Sequence, residues 1–84
     1  MIHLVKNINN IEPYKINILF NTGEAKTIDF NQKLIDWSKS ENSKFRDLLE
    51  PDYFKTVKLN TELGTVYWDN GIDFCPDSLY YWGK

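Results

Sequence analysis

The most constraining stretch of this chain is a strict alternation, Tyr14, Ile16, Ile18 and Phe20, with polar residues between, followed at once by Asn21-Thr22-Gly23-Glu24. Period two puts those four side chains on one face of an extended strand. The Asn-Thr-Gly step tolerates positive φ, so the strand turns back tightly onto a partner running from Ala25 to Phe30. Upstream, Ile2, Leu4, Ile8 and Ile11 are interleaved with polar residues, and the Asn-rich centre predicts an edge strand or a bulge. Glu12-Pro13 separates it from the alternating run, because proline cannot donate to a ladder. The N-terminal part is therefore predicted to be a three-strand meander.

Beyond Phe30 the pattern changes. Asn31 is placed to cap a helix that carries Leu34, Ile35 and Trp37 and stops by Ser40. After a polar loop from Ser38 to Ser43, Ser43 is expected to cap a second short helix with Phe45, Leu48 and Leu49 on one face, ended by Pro51. Tyr53 and Phe54 are expected to anchor the exit turn. Val57 and Leu59 predict a fourth strand and Thr65 to Trp68 a fifth. Asp69-Asn70-Gly71 predicts a type I′ hairpin turn onto Ile72 to Phe74. Pro76 then opens a last helical turn, with Asp77 in the favourable field of its start and Leu79, Tyr80 and Trp82 as apolar surface.

The whole chain of 84 residues is read as a single α+β domain, residues 1–84. Its expected architecture is one antiparallel sheet of about five strands with the helices of residues 31–50 on one face. Ile16, Ile18, Phe20, Ile28, Phe45, Leu48, Phe54, Val57 and Val66 are the expected core. Aromatic residues make up 15% of the chain, which suits a core this small.

Charge and cysteine content narrow the function. The net charge is −2, from twelve acids against nine lysines and one arginine, Arg46, with both signs scattered. Without a basic stripe, direct nucleic-acid binding is not expected. Cys75 is the only cysteine, so no intramolecular disulfide or multi-cysteine metal site is possible, which fits a reducing compartment. The N-terminus shows no secretory signal and no run reaches the ~18 apolar residues of a membrane span, so a cytoplasmic protein is expected.

Segment Gly64-Thr65-Val66-Tyr67-Trp68-Asp69-Asn70-Gly71-Ile72-Asp73-Phe74, with Pro76 and Leu79-Tyr80, resembles the C-terminal signature of a small prokaryotic domain-of-unknown-function family, number 2442. Phe20, Gly23, Asp29, Phe45, Leu48, Phe54 and Val57 resemble its earlier landmarks, so the similarity covers nearly the whole chain. The resemblance implies a small α+β domain, in some members followed by a helix-turn-helix domain, in gene neighbourhoods that suggest toxin-antitoxin-like or regulatory pairing. This chain is expected to lack that second domain, and a DNA-binding role is not carried over to it.

No catalytic, cofactor-binding or metal-binding residue is assigned, and no cofactor is expected. His3 and Cys75 are of the types that form a nucleophile pair, but nothing in their positions brings them together; a strand-edge histidine and a small thiol before Pro76 is the plainer account. Asp69, Asp73 and Asp77 recur every four residues, yet the Asn70-Gly71 turn and Pro76 break any helix that would align them, and turn and helix-start roles suffice. Lys55 and Lys58 read as edge-blunting lysines.

The aromatic group Tyr67, Trp68, Tyr80, Tyr81 and Trp82 is the candidate partner-binding surface, since Tyr and Trp most often carry interface energy. Its members Tyr67 and Trp68 must face opposite sides of a strand, so only one of them enters the core. The leading expectation is a non-enzymatic interaction or regulatory module whose partner is another small bacterial protein, encoded beside it in an operon or toxin-antitoxin-like pair. The alternatives are a minimal metal-dependent hydrolase using the three aspartates and an accessory subunit of a DNA-binding regulator.

Overall fold

A computed structural model describes residues 3–39 and 43–84. The chain runs β1 (Val5–Glu12), β2 (Lys15–Phe20), β3 (Ala25–Asp29), α1 (Asn31–Trp37), α2 (Phe45–Leu48), α3 (Pro51–Phe54), β4 (Lys58–Asn60), β5 (Thr65–Tyr67), β6 (Asp73–Phe74) and α4 (Pro76–Trp82). The class is α+β, as the sequence predicts. The single sheet of about five strands is corrected: among the described residues the strands form two antiparallel three-stranded sheets, β1-β2-β3 and β4-β5-β6.

The first sheet is the predicted meander. Ile16, Ile18 and Phe20 are fully buried while the residues between them face outward, so the period-two signal reports a sheet with one solvated face. On that outer face, amides bond one another, Asn9 Nδ2 donating to Asn17 at 2.9 Å and Asn17 Nδ2 to the Thr27 hydroxyl at 3.0 Å. The Asn-rich part of β1 carries the expected irregularities, with register shifts between Val5 and Asn7 and between Ile8 and Asn10. Ile2 and Ser40, named in the predicted strand and helix limits, lie outside the described residues.

The β2–β3 and β5–β6 hairpins use the same device. Gly23 N–H closes onto the Phe20 carbonyl at 3.0 Å and Gly71 N–H onto that of Trp68 at 3.1 Å, each glycine then taking a left-handed φ, 89° and 97°. This is a turn followed by a glycine bulge. It is not the predicted type I′ turn, because Asn70 does not adopt positive φ.

Two helix details also differ from expectation, at Asn31 and at Pro51. Asn31 is the first helical residue of α1 and makes no side-chain cap; its own amide is instead bound by Asp29 Oδ1 at 2.9 Å. Ser43 does accept from the Phe45 amide, at 3.2 Å. Pro51 ends α2 by opening α3 at its first position, where a missing N–H costs nothing, so Tyr53 and Phe54 are helical and not part of an exit turn.

The two sheets and the helices share one core. Every expected core residue is in it, with Phe45 half-buried. Sequence reasoning left out Val5, Phe30, Leu34, Trp68, Ile72, Phe74 and Leu79, all buried. Phe54 touches Tyr14, Phe30 and Trp68 at ring separations of 5.4, 5.9 and 5.6 Å. The Trp68 indole N–H donates to the Phe54 carbonyl at 3.0 Å, and the Tyr14 hydroxyl to the Leu49 carbonyl, so the large rings bring their polar atoms in satisfied. The sheets meet where the Val5 amide donates to the Gly64 carbonyl at 2.9 Å. Gly64 has φ 66°, and a Cβ there would stand 2.7 Å from Leu4 Cβ, so this close approach requires glycine.

Candidate functional site

Helix α4 begins at Pro76, buries Leu79 and thereby turns Tyr80 and Tyr81 toward the rim of the first sheet. Its far end is held by reciprocal backbone bonds of 3.1 Å between Thr27 on β3 and Lys84. Tyr80 is the hinge between core and surface. One part of its ring meets the buried Phe20 edge-on at 5.2 Å, while the His3 ring stacks on it at 3.8 Å and 18°. Lys26 Nζ lies 3.6 Å from the Tyr80 ring centroid and donates to the Tyr80 carbonyl at 3.3 Å. The Tyr80 hydroxyl donates to Glu24 Oε1 at 2.6 Å, and His3 Nδ1 sits 3.1 Å from Asp77 Oδ1.

These groups line an opening of about 490 Å³ formed by His3, Lys26, Asp77, Tyr80 and Tyr81. Its electrostatics follow from the contacts. The Tyr80 hydroxyl bond holds the Glu24 carboxyl below its ordinary pKa, helped by the Lys26 charge, and the same bond raises the Tyr80 hydroxyl. Tyr80 is thus a fixed, protonated donor spent on Glu24. Tyr81 is different: it is 86% exposed, with ring and hydroxyl both free to meet another molecule.

The five aromatic residues picked out in the sequence do not form one surface. Trp68 is 1% exposed, so it belongs to the core and is removed from the candidate surface; Tyr67, on the other side of the strand, is half-buried. Tyr67 faces a separate opening of about 220 Å³ beside Leu63 and Asp73. Trp82 is half-buried against Phe30, Trp37 and Phe74, with ring separations of 6.4, 5.7 and 5.9 Å. Tyr80 and Tyr81 remain together at the α4 opening.

The reactive candidates are engaged separately. Cys75 Sγ pairs with the Ser78 hydroxyl at 3.1 Å, which lowers the thiol pKa, while His3 pairs with Asp77. Asp69 forms an ion pair with Lys58 at 2.8 Å, which raises the lysine pKa, and Asp73 faces the Tyr67 opening. Among the described residues no three His, Cys, Asp or Glu side chains stand close enough to hold a metal ion. Among those residues, too, no helix is long and apolar enough to cross a membrane.

Sequence reasoning missed Glu24 and Lys26. They are 56 and 54 residues from the Tyr80 groups they bind, and no local pattern encodes such a meeting.

Among the described residues, two small sheets and four short helices share one core in an α+β arrangement, with an aromatic opening beside the last helix. The chain belongs to the family described as Protein of unknown function (DUF2442), whose model matches residues 5–84. No curated protein matches it. A solved structure similar to it is the "Putative DNA Binding Protein NE0471" of Nitrosomonas europaea, with TM-score 0.76 and 24% identity over 98% of this chain. This chain spans about half of that one, 49%, and the likeness is one of fold.

Proposed function

We propose that the chain is a non-enzymatic interaction or regulatory module that binds another small bacterial protein through the α4 opening, with Tyr81 as its anchor. The observation that carries this reading is Tyr81 itself. A tyrosine left 86% exposed sits beside a lysine, a histidine and a carboxylate whose positions are set by hydrogen bonds and stacking. A rigid polar rim around a free aromatic ring suits an interface, where Tyr anchors contribute most and ordered surroundings lower the entropic cost of binding. The separate engagement of His3, Cys75 and the three aspartates favours contact over chemistry. A net charge of −2 favours a protein partner over DNA, so any service to a DNA-binding regulator runs through that partner.

The test is co-expression with the products of adjoining genes, followed by size-exclusion chromatography. Wild type should co-elute with one of them. Tyr81→Ala should weaken that complex by roughly 2 kcal/mol, about thirtyfold in Kd, while Leu63→Ser at the other opening should leave it intact. Failure of every adjoining product to co-elute with wild type would sink the interaction reading, and an unchanged complex with Tyr81→Ala would sink the choice of surface.

A further inference from the structure

The sequence has one Asn-Gly step, Asn70-Gly71, in the hairpin between β5 and β6. This dipeptide is chemically vulnerable because glycine, having no Cβ, lets its backbone nitrogen approach the preceding Asn side chain. In water, hydroxide removes the Gly71 amide proton and the nitrogen attacks Asn70 Cγ. The new N–Cγ bond closes a succinimide, and Nδ2, regaining a proton from water, leaves as ammonia. Water then opens the ring at either carbonyl, giving Asp or isoaspartate. The net change is amide plus water to carboxyl plus ammonia, with no oxidant or reductant.

The fold holds both the attacking and the leaving nitrogen of this reaction in hydrogen bonds. The Gly71 N–H donates to the Trp68 carbonyl at 3.1 Å. Asn70 Oδ1 accepts from the Ile72 amide at 3.2 Å. Asn70 Nδ2 donates both to the Lys44 carbonyl at 3.1 Å and to Asp47 Oδ2 at 3.0 Å. The Asn70 amide donates to the Tyr53 hydroxyl oxygen at 3.0 Å. Attack requires Gly71 to leave Trp68 and the Asn70 side chain to leave α2. The leaving Nδ2 is therefore also the atom that clasps the hairpin to α2, while the Asn70 backbone amide, which takes no part in the reaction, ties the same residue to α3.

We infer that Asn70-Gly71 is a fold-gated deamidation site, silent while the clasp is closed, whose conversion releases the β5–β6 hairpin from α2. The product replaces a two-bond donor with a carboxylate. The Lys44 carbonyl loses its partner, and the new charge faces Asp47 at the position where Nδ2 had bonded it. The Lys44 ammonium beside Gly71 is left as the neighbouring cation for that carboxylate. Because ammonia is lost to solvent, the opened state does not revert, and the site records past openings of the hairpin.

The experiment incubates the wild-type chain at one mildly alkaline pH and temperature, with and without denaturing urea, and follows Asn70 conversion by peptide mass mapping. Native protein should convert at least about tenfold more slowly than unfolded protein, since reaction waits on local opening. Tyr53→Phe and Asp47→Ala should speed conversion in native buffer. Equal rates with and without urea would overturn the gating. The deamidated chain, isolated and compared by amide NMR, should show shifts confined to α2, α3 and the hairpin; a spectrum matching the unmodified chain there would overturn the release.

Discussion

Truncating Phe54 to alanine removes the ring on which three aromatic neighbours converge. The side chain is fully buried and packs against Tyr14, Phe30 and Trp68, while its carbonyl accepts the Trp68 indole N–H. Losing the ring forfeits its transfer from water and leaves a cavity that helix α3, a single turn begun by Pro51, is poorly placed to collapse; the expected cost is about 3–5 kcal/mol. A chain of 84 residues has roughly 4–13 kcal/mol of stability in total, so the variant falls near the edge of folding. Melting should drop by roughly 12–40 °C. Urea unfolding followed by tryptophan fluorescence gives the same quantity at constant temperature, and Phe54→Leu should lose only about 1–2 kcal/mol because most of the volume remains. A Phe54→Ala protein melting within a few degrees of wild type would refute the placement of this ring at the centre of the core.

Gly64→Ala should destabilise by about 1–3 kcal/mol, read by urea titration, because φ 66° and contact with Leu4 both oppose a Cβ. Tyr80 should ionise above an ordinary tyrosine in an alkaline absorbance titration, and Glu24→Gln should bring it back down. Since the folded Tyr80 pKa is raised, the stability it contributes is present below the unfolded value and lost as pH rises through the folded one. Glu24 runs the opposite way: its folded pKa is lowered, so its contribution is present above the unfolded carboxylate value and fades as pH falls through the folded one. Carbon-detected NMR titration of Tyr80→Phe should show the Glu24 carboxyl moving back up toward its ordinary range. Cys75 should alkylate faster at neutral pH than a free thiol, and Ser78→Ala should slow it, because the Ser78 hydroxyl bond favours the thiolate.

The meander was legible because its physics is local. Ile16, Ile18 and Phe20 alternate, and Gly23 supplies the one left-handed residue the turn needs. Pro76 marked the start of α4 for the same reason. The division into two sheets was not legible, since β4, β5 and β6 have only three, three and two residues, and periodicity does not state which strand pairs with which. Pro51 was ambiguous in principle: it ends one helix and is equally suited to begin the next. Phe30 sits between a strand and a helix, where neither period applies, yet it is fully buried. The candidate site was half visible. Tyr80 and Tyr81 stood out by composition, whereas His3, Glu24 and Lys26 reach them only through folding.

The claim that this domain works by contact at the α4 opening is tested most directly by amide NMR of the labelled chain titrated with the adjoining-gene product it co-elutes with. The account predicts that perturbed residues cluster at His3, Lys26, Asp77, Tyr80 and Tyr81. Perturbations gathered instead around Leu63, Tyr67 and Asp73, with the α4 opening silent, would contradict it.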